Sequence, residues 1–326
     1  MLKGALLGFG EEAAETYSPA LLAAGGRLRT DAVVCAPGEA RRARALFPAA
    51  RLYGSAEELL AAEKGLDFAL AAVPAALRGA ALAAALKAGL HSAAHPPLAA
   101  SPAEMSELAR LAAARGRCLY ALHPWERSLP WSSFSRAAAE GAAGPVAAAE
   151  LTLLTPRRAG PGAARGVSAA LGWQAFAMLL DVVRLKPLAV SARLGTGADY
   201  DPEAPEEEAA FTVHFPGATA LVRLSAGAFA PRFHAALRGP RGALRLSGGR
   251  LSRDLAGAAP DALEFPESLH PGLARPDWLS GELSAFAVAA QSKAPPTAGL
   301  KNSVACARLL ANAYYSASVR SAAAPL

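Results

Sequence analysis

The residues Gly8-Phe9-Gly10-Glu11-Glu12-Ala13 follow directly on the apolar run from Lys3 to Phe9. A G-x-G-x-x-A turn between a buried strand and a helix lets backbone N–H groups and the helix N-terminus approach a pyrophosphate. Gly8, Gly10 and Ala13 are therefore candidate cofactor-binding positions. Strand two of such a fold normally ends in a carboxylate for the adenosine ribose, and here the chain reads Cys35-Ala36-Pro37-Gly38. Arg41 and Arg42, just beyond, suit a 2′-phosphate and favour NADP over NAD, or else form a solvated helix face with Arg44. His95 and His123 are the candidate acid/base groups, since imidazole titrates near neutrality. Trp125, in His123-Pro124-Trp125, lines a substrate pocket or packs in a core.

The elements that must position these residues alternate over the first 122 residues. Strands are expected at Lys3–Phe9, Asp31–Cys35, Arg51–Tyr53, Leu66–Val73, near His91 and at Arg117–Leu122. Helices fall between them: to about Ala24, Glu39–Phe47, after Ser55, Gly79–Ala88 and Ser101–Arg115. The last has a capping box, with Ser101 as cap, Pro102 in the first turn and Glu104 three residues on. This alternation implies an α/β, doubly wound parallel sheet of Rossmann type over residues 1–122. Residues 123–326 change texture. A helix at Ser132–Glu140, a strand at Pro145–Leu154, a loop at Arg157–Gly166 and a helix at Ala169–Arg184 precede strands at Ala189–Leu194, Ala210–Phe215, Ala218–Ser225, Arg232–Arg238 and Ala243–Leu246. Phe211, Val213 and Phe215 alternate with Thr212 and His214, giving one buried and one polar face. With a closing helix at Asn302–Ser316, this half reads as an α+β domain with a mostly antiparallel open sheet.

Composition narrows the class. Length, 326 residues, suits two domains. The mean hydropathy of +0.22 reflects alanine, about a quarter of the chain, and Arg78 and Lys87 break the longest apolar stretches. No membrane span or signal segment is expected, which makes a cytoplasmic location the default. The net charge of +6 comes from dispersed arginines without a basic run, so no nucleic-acid partner is indicated. Cys35, Cys118 and Cys306 lack metal or disulfide spacing and read as small buried hydrophobes. Asp199, Asp201, Glu203, Glu206, Glu207 and Glu208 fit no calcium loop and read as solvated, and His214, His234 and His270 show no ligand spacing, so no metal is assigned.

The order of elements, the run Gly89-Leu90-His91-Ser92-Ala93-Ala94-His95-Pro96-Pro97-Leu98, the capped helix after Ser101, Glu140-Gly141 with Gly144-Pro145, and Ala313-Tyr314-Tyr315-Ser316 resemble the Gfo/Idh/MocA oxidoreductases over nearly the whole chain. The resemblance implies an N-terminal domain that binds NAD(P), a C-terminal substrate domain for a sugar, cyclitol or sugar nucleotide, and homo- or hetero-oligomers formed through the C-terminal sheet. It also exposes departures. The family's Glu-Lys-Pro, whose lysine contacts cofactor and substrate, is here His95-Pro96-Pro97. The family's Asp-x-x-x-His aligns with Ala170-Leu171-Gly172-Trp173-Gln174, and Pro-Asn-x-x-His with Pro74-Ala75-Ala76-Leu77-Arg78, which keeps the proline turn without the polar contacts. Pro74 and Pro97 are thus cofactor-side candidates, and Trp173 and Gln174 substrate-side ones. Gln174 can hydrogen-bond a hydroxyl but cannot exchange a proton.

Three readings follow. The chain is a degenerate member that binds a dinucleotide or sugar-like ligand as a partner subunit; an active NAD(P)-dependent oxidoreductase rewired around His95 or His123; or a non-enzymatic interaction protein that uses the open sheet of its second domain, with NAD(P) bound in the first two readings. Simultaneous loss of the polar positions with the apolar pattern intact favours the first.

Overall fold

The computed structural model describes residues 1–326 except 25, 157–165, 196–204, 272–274, 293–296 and 301. The predicted loop over 157–165 and Asp199, Asp201 and Glu203 of the acidic stretch lie outside the described residues. The chain divides into two compact units, one of Met1–Arg127 with Ala274–Val304 and one of Ser128–Leu273 with Ala305–Leu326.

In the first unit, β1 (Leu2–Leu7), β2 (Leu28–Val34), β3 (Arg51–Tyr53), β4 (Phe68–Ala71), β5 (His91–Ala94) and β6 (Leu119–Ala121) form a parallel sheet ordered β3-β2-β1-β4-β5-β6. Strands covered on both faces must be apolar throughout. In β1, Leu6 joins one core with Phe68, Leu70 and Tyr120, while Ala5 and Leu7 join the other with Leu59, Ala85 and Leu90. The connecting helices are α1 (Ser18–Ala23), α2 (Ala40–Leu46), α3 (Ala56–Ala62), α4 (Ala75–Lys87) and α5 (Pro102–Arg115). The α5 cap forms as expected on the serine side, where Ser101 Oγ accepts the Glu104 N–H, but the Glu104 carboxylate takes the Ala100 N–H rather than that of Ser101.

The expected division at 122/123 moves to 127/128, and the first unit gains a return segment. Its helix α8 (Pro276–Gln291), which the sequence pattern does not announce, buries Leu279, Leu283 and Phe286 among Phe68, Tyr120 and Tyr17. Phe286 meets both Phe68 and Tyr120 edge to face, at centroid distances of 6.0 and 5.9 Å. Burying each such side chain contributes about 1.5–3 kcal/mol, which is why the helix belongs to this core.

The second unit has a nine-stranded sheet. Its strands are β7 (Ala148–Pro156), β8 (Ala189–Gly195), β9 (Glu208–Phe215), β10 (Ala218–Ala228), β11 (Arg232–Gly239), β12 (Gly242–Ser247), β13 (Arg250–Leu255), β14 (Asp261–Glu264) and β15 (Ala324–Pro325), in the order β14-β13-β12-β11-β7-β10-β9-β8-β15. Only β7 and β10 pair in parallel among the described ladders. The alternation at Phe211, Val213 and Phe215 is buried as the pattern requires. Helices α6 (Leu129–Ala139) and α7 (Trp173–Val183) cover that face, with Phe176 5.1 Å from Phe211. Helix α9 (Ser303–Ser318) spans the boundary between the units. No helix among the described residues is long and apolar enough to cross a membrane.

Candidate functional site

The glycine turn has the backbone that its spacing demands. Gly8 sits at φ +96°, and a Cβ there would lie 2.6 Å from Val73 Cγ1 and 2.8 Å from the Ala72 carbonyl oxygen, so only glycine fits. Gly10 has nothing within 4 Å of where a Cβ would be, which leaves its approach open. Ala13 is buried at the start of a π-helical turn, Ala13–Tyr17, that runs into α1 in place of a regular helix to Ala24. Ser18 Oγ, buried, donates to the Ala13 carbonyl at 2.7 Å and satisfies the widened turn.

A side-chain network sits against this turn. Glu12 Oε1 lies 2.9 Å from His95 Nδ1, and the His95 ring packs edge-on to Tyr17 at 4.9 Å. The Tyr17 hydroxyl accepts the His95 N–H at 3.1 Å. Arg78, only 6% exposed, donates to the carbonyls of His95 at 2.8 Å, Val73 at 3.0 Å and Pro97 at 3.1 Å. Arg78 thus supplies polar contacts that the sequence comparison with Pro-Asn-x-x-His does not foresee, all of them to backbone. Burial raises the Glu12 pKa, but the His95 hydrogen bond and charge, with Arg78, outweigh it and hold this carboxyl below its ordinary value. Burial beside Glu12 pushes the Tyr17 phenol up. The structure therefore brings His95, Pro97 and the turn Gly8–Ala13 together, and adds Glu12, Tyr17 and Arg78. A carboxylate inside a phosphate-binding turn was the available signal for Glu12.

The other candidates are placed differently. Pro74 is exposed at the start of α4, and Arg41 is exposed on α2. Arg42 Nη2 is 3.7 Å from Glu15 Oε1, an exposed pair that competes with any phosphate for this guanidinium. His123 and Trp125 are 3% and 6% exposed, and their rings lie 5.3 Å apart. The His123 N–H donates at 3.2 Å to Glu282 of α8, whose other oxygen is 2.6 Å from Arg127 Nε. Burial raises the Glu282 pKa against the pull of Arg127 and these hydrogen bonds. His123 is packed in the core of this unit, where Glu282 fixes its backbone.

In the second unit, Ser168–Gly172 forms another π-helical turn that runs into α7. Among the described residues, buried Trp173 has no hydrogen-bond partner for its Nε1, and Gln174 Nε2 lies 3.9 Å from Met178 Sδ. Ala170 is exposed. Glu206, grouped by sequence with a solvated acidic stretch, instead accepts from the Ser168 N–H at 3.2 Å and the Tyr314 hydroxyl at 3.0 Å. The three cysteines are free and buried, and burial pushes the Cys118 thiol up to about 11. Among the described residues, no group of three His, Cys, Asp or Glu is arranged to hold a metal.

As a cradle for a dinucleotide, the site is divided. The backbone around Gly8 and Gly10 fits a pyrophosphate, while Glu12 puts a negative charge beside it and no carboxylate awaits the ribose hydroxyls at Ala36. The strand order, glycine turn and second, mostly antiparallel sheet define a two-unit scaffold whose first unit has the Rossmann arrangement of dinucleotide-binding proteins.

Residues 2–123 match the family described as "Oxidoreductase family, NAD-binding Rossmann fold", GFO_IDH_MocA. The match covers residues 2–123 of the 326, all within the first unit. Solved structures of similar fold include GenD2 from gentamicin A biosynthesis in complex with NAD, at 20% identity and TM-score 0.82, covering 100% of this chain and 96% of that one. An aldose-aldose oxidoreductase from Caulobacter crescentus, complexed with glycerol, has 19% identity and TM-score 0.83, covering 100% and 99%. An oxidoreductase from Agrobacterium radiobacter, in complex with NAD+, L-tartaric acid and magnesium, has 19% identity and TM-score 0.81, covering 97% and 96%. At these identities the likeness is one of fold. Comparison with curated proteins gives no match.

Proposed function

We propose that this chain is a Gfo/Idh/MocA scaffold that has lost its hydride-transfer machinery and serves as a ligand-binding or partner subunit. The observation that carries this reading is chemical: none of Pro96, Ala170 and Gln174 can change protonation, at the positions where the family resemblance expects lysine, aspartate and histidine. General acid/base catalysis contributes about 10²- to 10⁴-fold, and groups that act as a unit lose their effect together. Dinucleotide binding is weak in this reading, with NADP at least equal to NAD. A missing charge-assisted ribose contact costs about 1.5–3 kcal/mol, or roughly ten- to a hundredfold in affinity. Glu12 adds repulsion at the turn. Titration calorimetry with NAD and NADP tests this: submicromolar NAD with a clear preference over NADP would contradict it.

One observation favours a second reading, an active NAD(P)-dependent oxidoreductase acting on a sugar, cyclitol or sugar nucleotide. The Glu12–His95 pair is a carboxylate-oriented imidazole beside the glycine turn, and an oriented imidazole is a competent acid/base. A nicotinamide, when bound, would supply hydride transfer, and His95 would then move the proton. His95→Ala separates the readings, because only in the second does it remove turnover while leaving the fold intact.

A further inference from the structure

The second unit carries a cluster of cationic side chains on the sheet face opposite α6 and α7. The helix-covered face presents Ala149, Leu151 and Ala235 to Trp131, Met178 and Leu179. Pleating turns their neighbours Thr152 and His234 the other way. Register then lines up four adjacent strands: Arg223 of β10 pairs with Thr152 of β7, Thr152 with His234 of β11, and His234 with Ser247 of β12. Two residues further along the same face of β7, Leu154 pairs with Arg232. With His270, these residues line a cavity of about 530 Å³, within the range of small-molecule sites. From Arg223 to Ser247 is three strand spacings, about 14 Å, room for a phosphate and a sugar-sized body.

The charge of the cavity is one-sided. Among the described residues, no carboxylate lines it. Elsewhere in the same sheet, Arg238, Arg250 and Arg253 pair with Glu150, Glu264 and Asp261. Among the described residues, Arg223 and Arg232 have no such partner. His234 Nδ1 and Ser247 Oγ are 2.8 Å apart, which fixes that ring, and His270 Nδ1 is buried with no hydrogen-bond partner among the described residues. Two guanidinium forks, two imidazoles and the hydroxyls of Thr152 and Ser247 form a donor-rich set that matches the acceptor oxygens of a phosphate.

We propose that this cavity binds phosphate, free or as the ester of a small sugar-sized molecule, at a site separate from the glycine turn. The test is titration calorimetry of the full chain at fixed ionic strength with inorganic phosphate, glucose 6-phosphate and glucose. Saturable binding of one equivalent, tighter for the ester and absent for glucose, is expected. Equal affinity for phosphate and ester would support the free anion as ligand. Arg223→Gln with Arg232→Gln should weaken binding about tenfold per arginine. Both residues are exposed, so melting should not change. His234→Ala, without either arginine change, should also weaken it. NAD(P) affinity should be unaltered in both variants, so failure here is distinguishable from failure of the proposed function. No saturable heat with phosphate or ester at millimolar concentration, or unchanged affinity in the double arginine variant, would overturn the proposal.

Discussion

Removing the guanidinium of Arg78 should loosen the segment that holds His95. Arg78→Met keeps the length of the side chain but removes all three hydrogen bonds, to Val73, His95 and Pro97, made by a residue 6% exposed. Each hydrogen bond to a charged donor is worth about 1.5–3 kcal/mol, and a carbonyl left buried costs a comparable amount. The three acceptor residues are only half-buried, so water recovers part of this, leaving a loss of about 2–4 kcal/mol. For a unit of this size that corresponds to a fall in Tm of roughly 5–15 °C. Because a two-unit chain need not unfold in one step, the change should be localised by hydrogen–deuterium exchange on peptides covering residues 68–98. Arg78→Lys should recover only part of the loss, since an ammonium cannot span three acceptors as the planar fork does. Stability of Arg78→Met within about 1 kcal/mol of the parent, with unchanged exchange in that segment, would refute the reasoning.

Other outcomes follow from the same geometry. Glu12 has a depressed pKa in the fold, so its contribution is present above the ordinary carboxylate value of 4.5 and is lost as pH falls through the folded value. Glu12→Gln should therefore lower stability near pH 7 and converge with the parent in acid, as read by melting across pH; a constant difference would argue against the His95 pair. Glu282 has the opposite sign, because its raised pKa gives stability that is full below the ordinary value and declines as pH rises through the folded one. Glu282→Gln should thus compare more favourably with the parent at pH 8 than at pH 4 by urea unfolding. Gly8→Ala combines a left-handed φ with contacts of 2.6 and 2.8 Å and should cost about 2–4 kcal/mol; a neutral melt would contradict the turn geometry.

The parallel sheet was legible because β1 and β4 are largely apolar runs bounded by turn residues and the helices alternate with the strands, and α5 announces itself through Ser101, Pro102 and Glu104. What escaped depends on contacts distant in sequence. The helix α8 contains Gly281 and two serines, and its stability comes from Leu279, Leu283 and Phe286 entering a core built some 160 or more residues earlier. Strands β13 and β14 are short and polar, and pairing with their neighbours, together with Arg250–Glu264 and Arg253–Asp261, makes them strands. At the site, the glycine turn could be read from local spacing. The Glu12–His95 contact spans 83 positions and Arg78 reaches backbone acceptors up to 19 residues away, so no local pattern encodes either.

The most direct test of the central claim is turnover. Purified protein should be screened by NAD(P)H absorbance against a broad panel of polyols, sugars and sugar nucleotides, with His95→Ala and His123→Ala in parallel. The account predicts no hydride transfer, or transfer far slower than about 1 s⁻¹, the low end of ordinary enzymes, and no difference among the three proteins. Turnover at or above that rate, abolished by His95→Ala with the fold intact, would contradict it and establish the Glu12–His95 pair as a working acid/base.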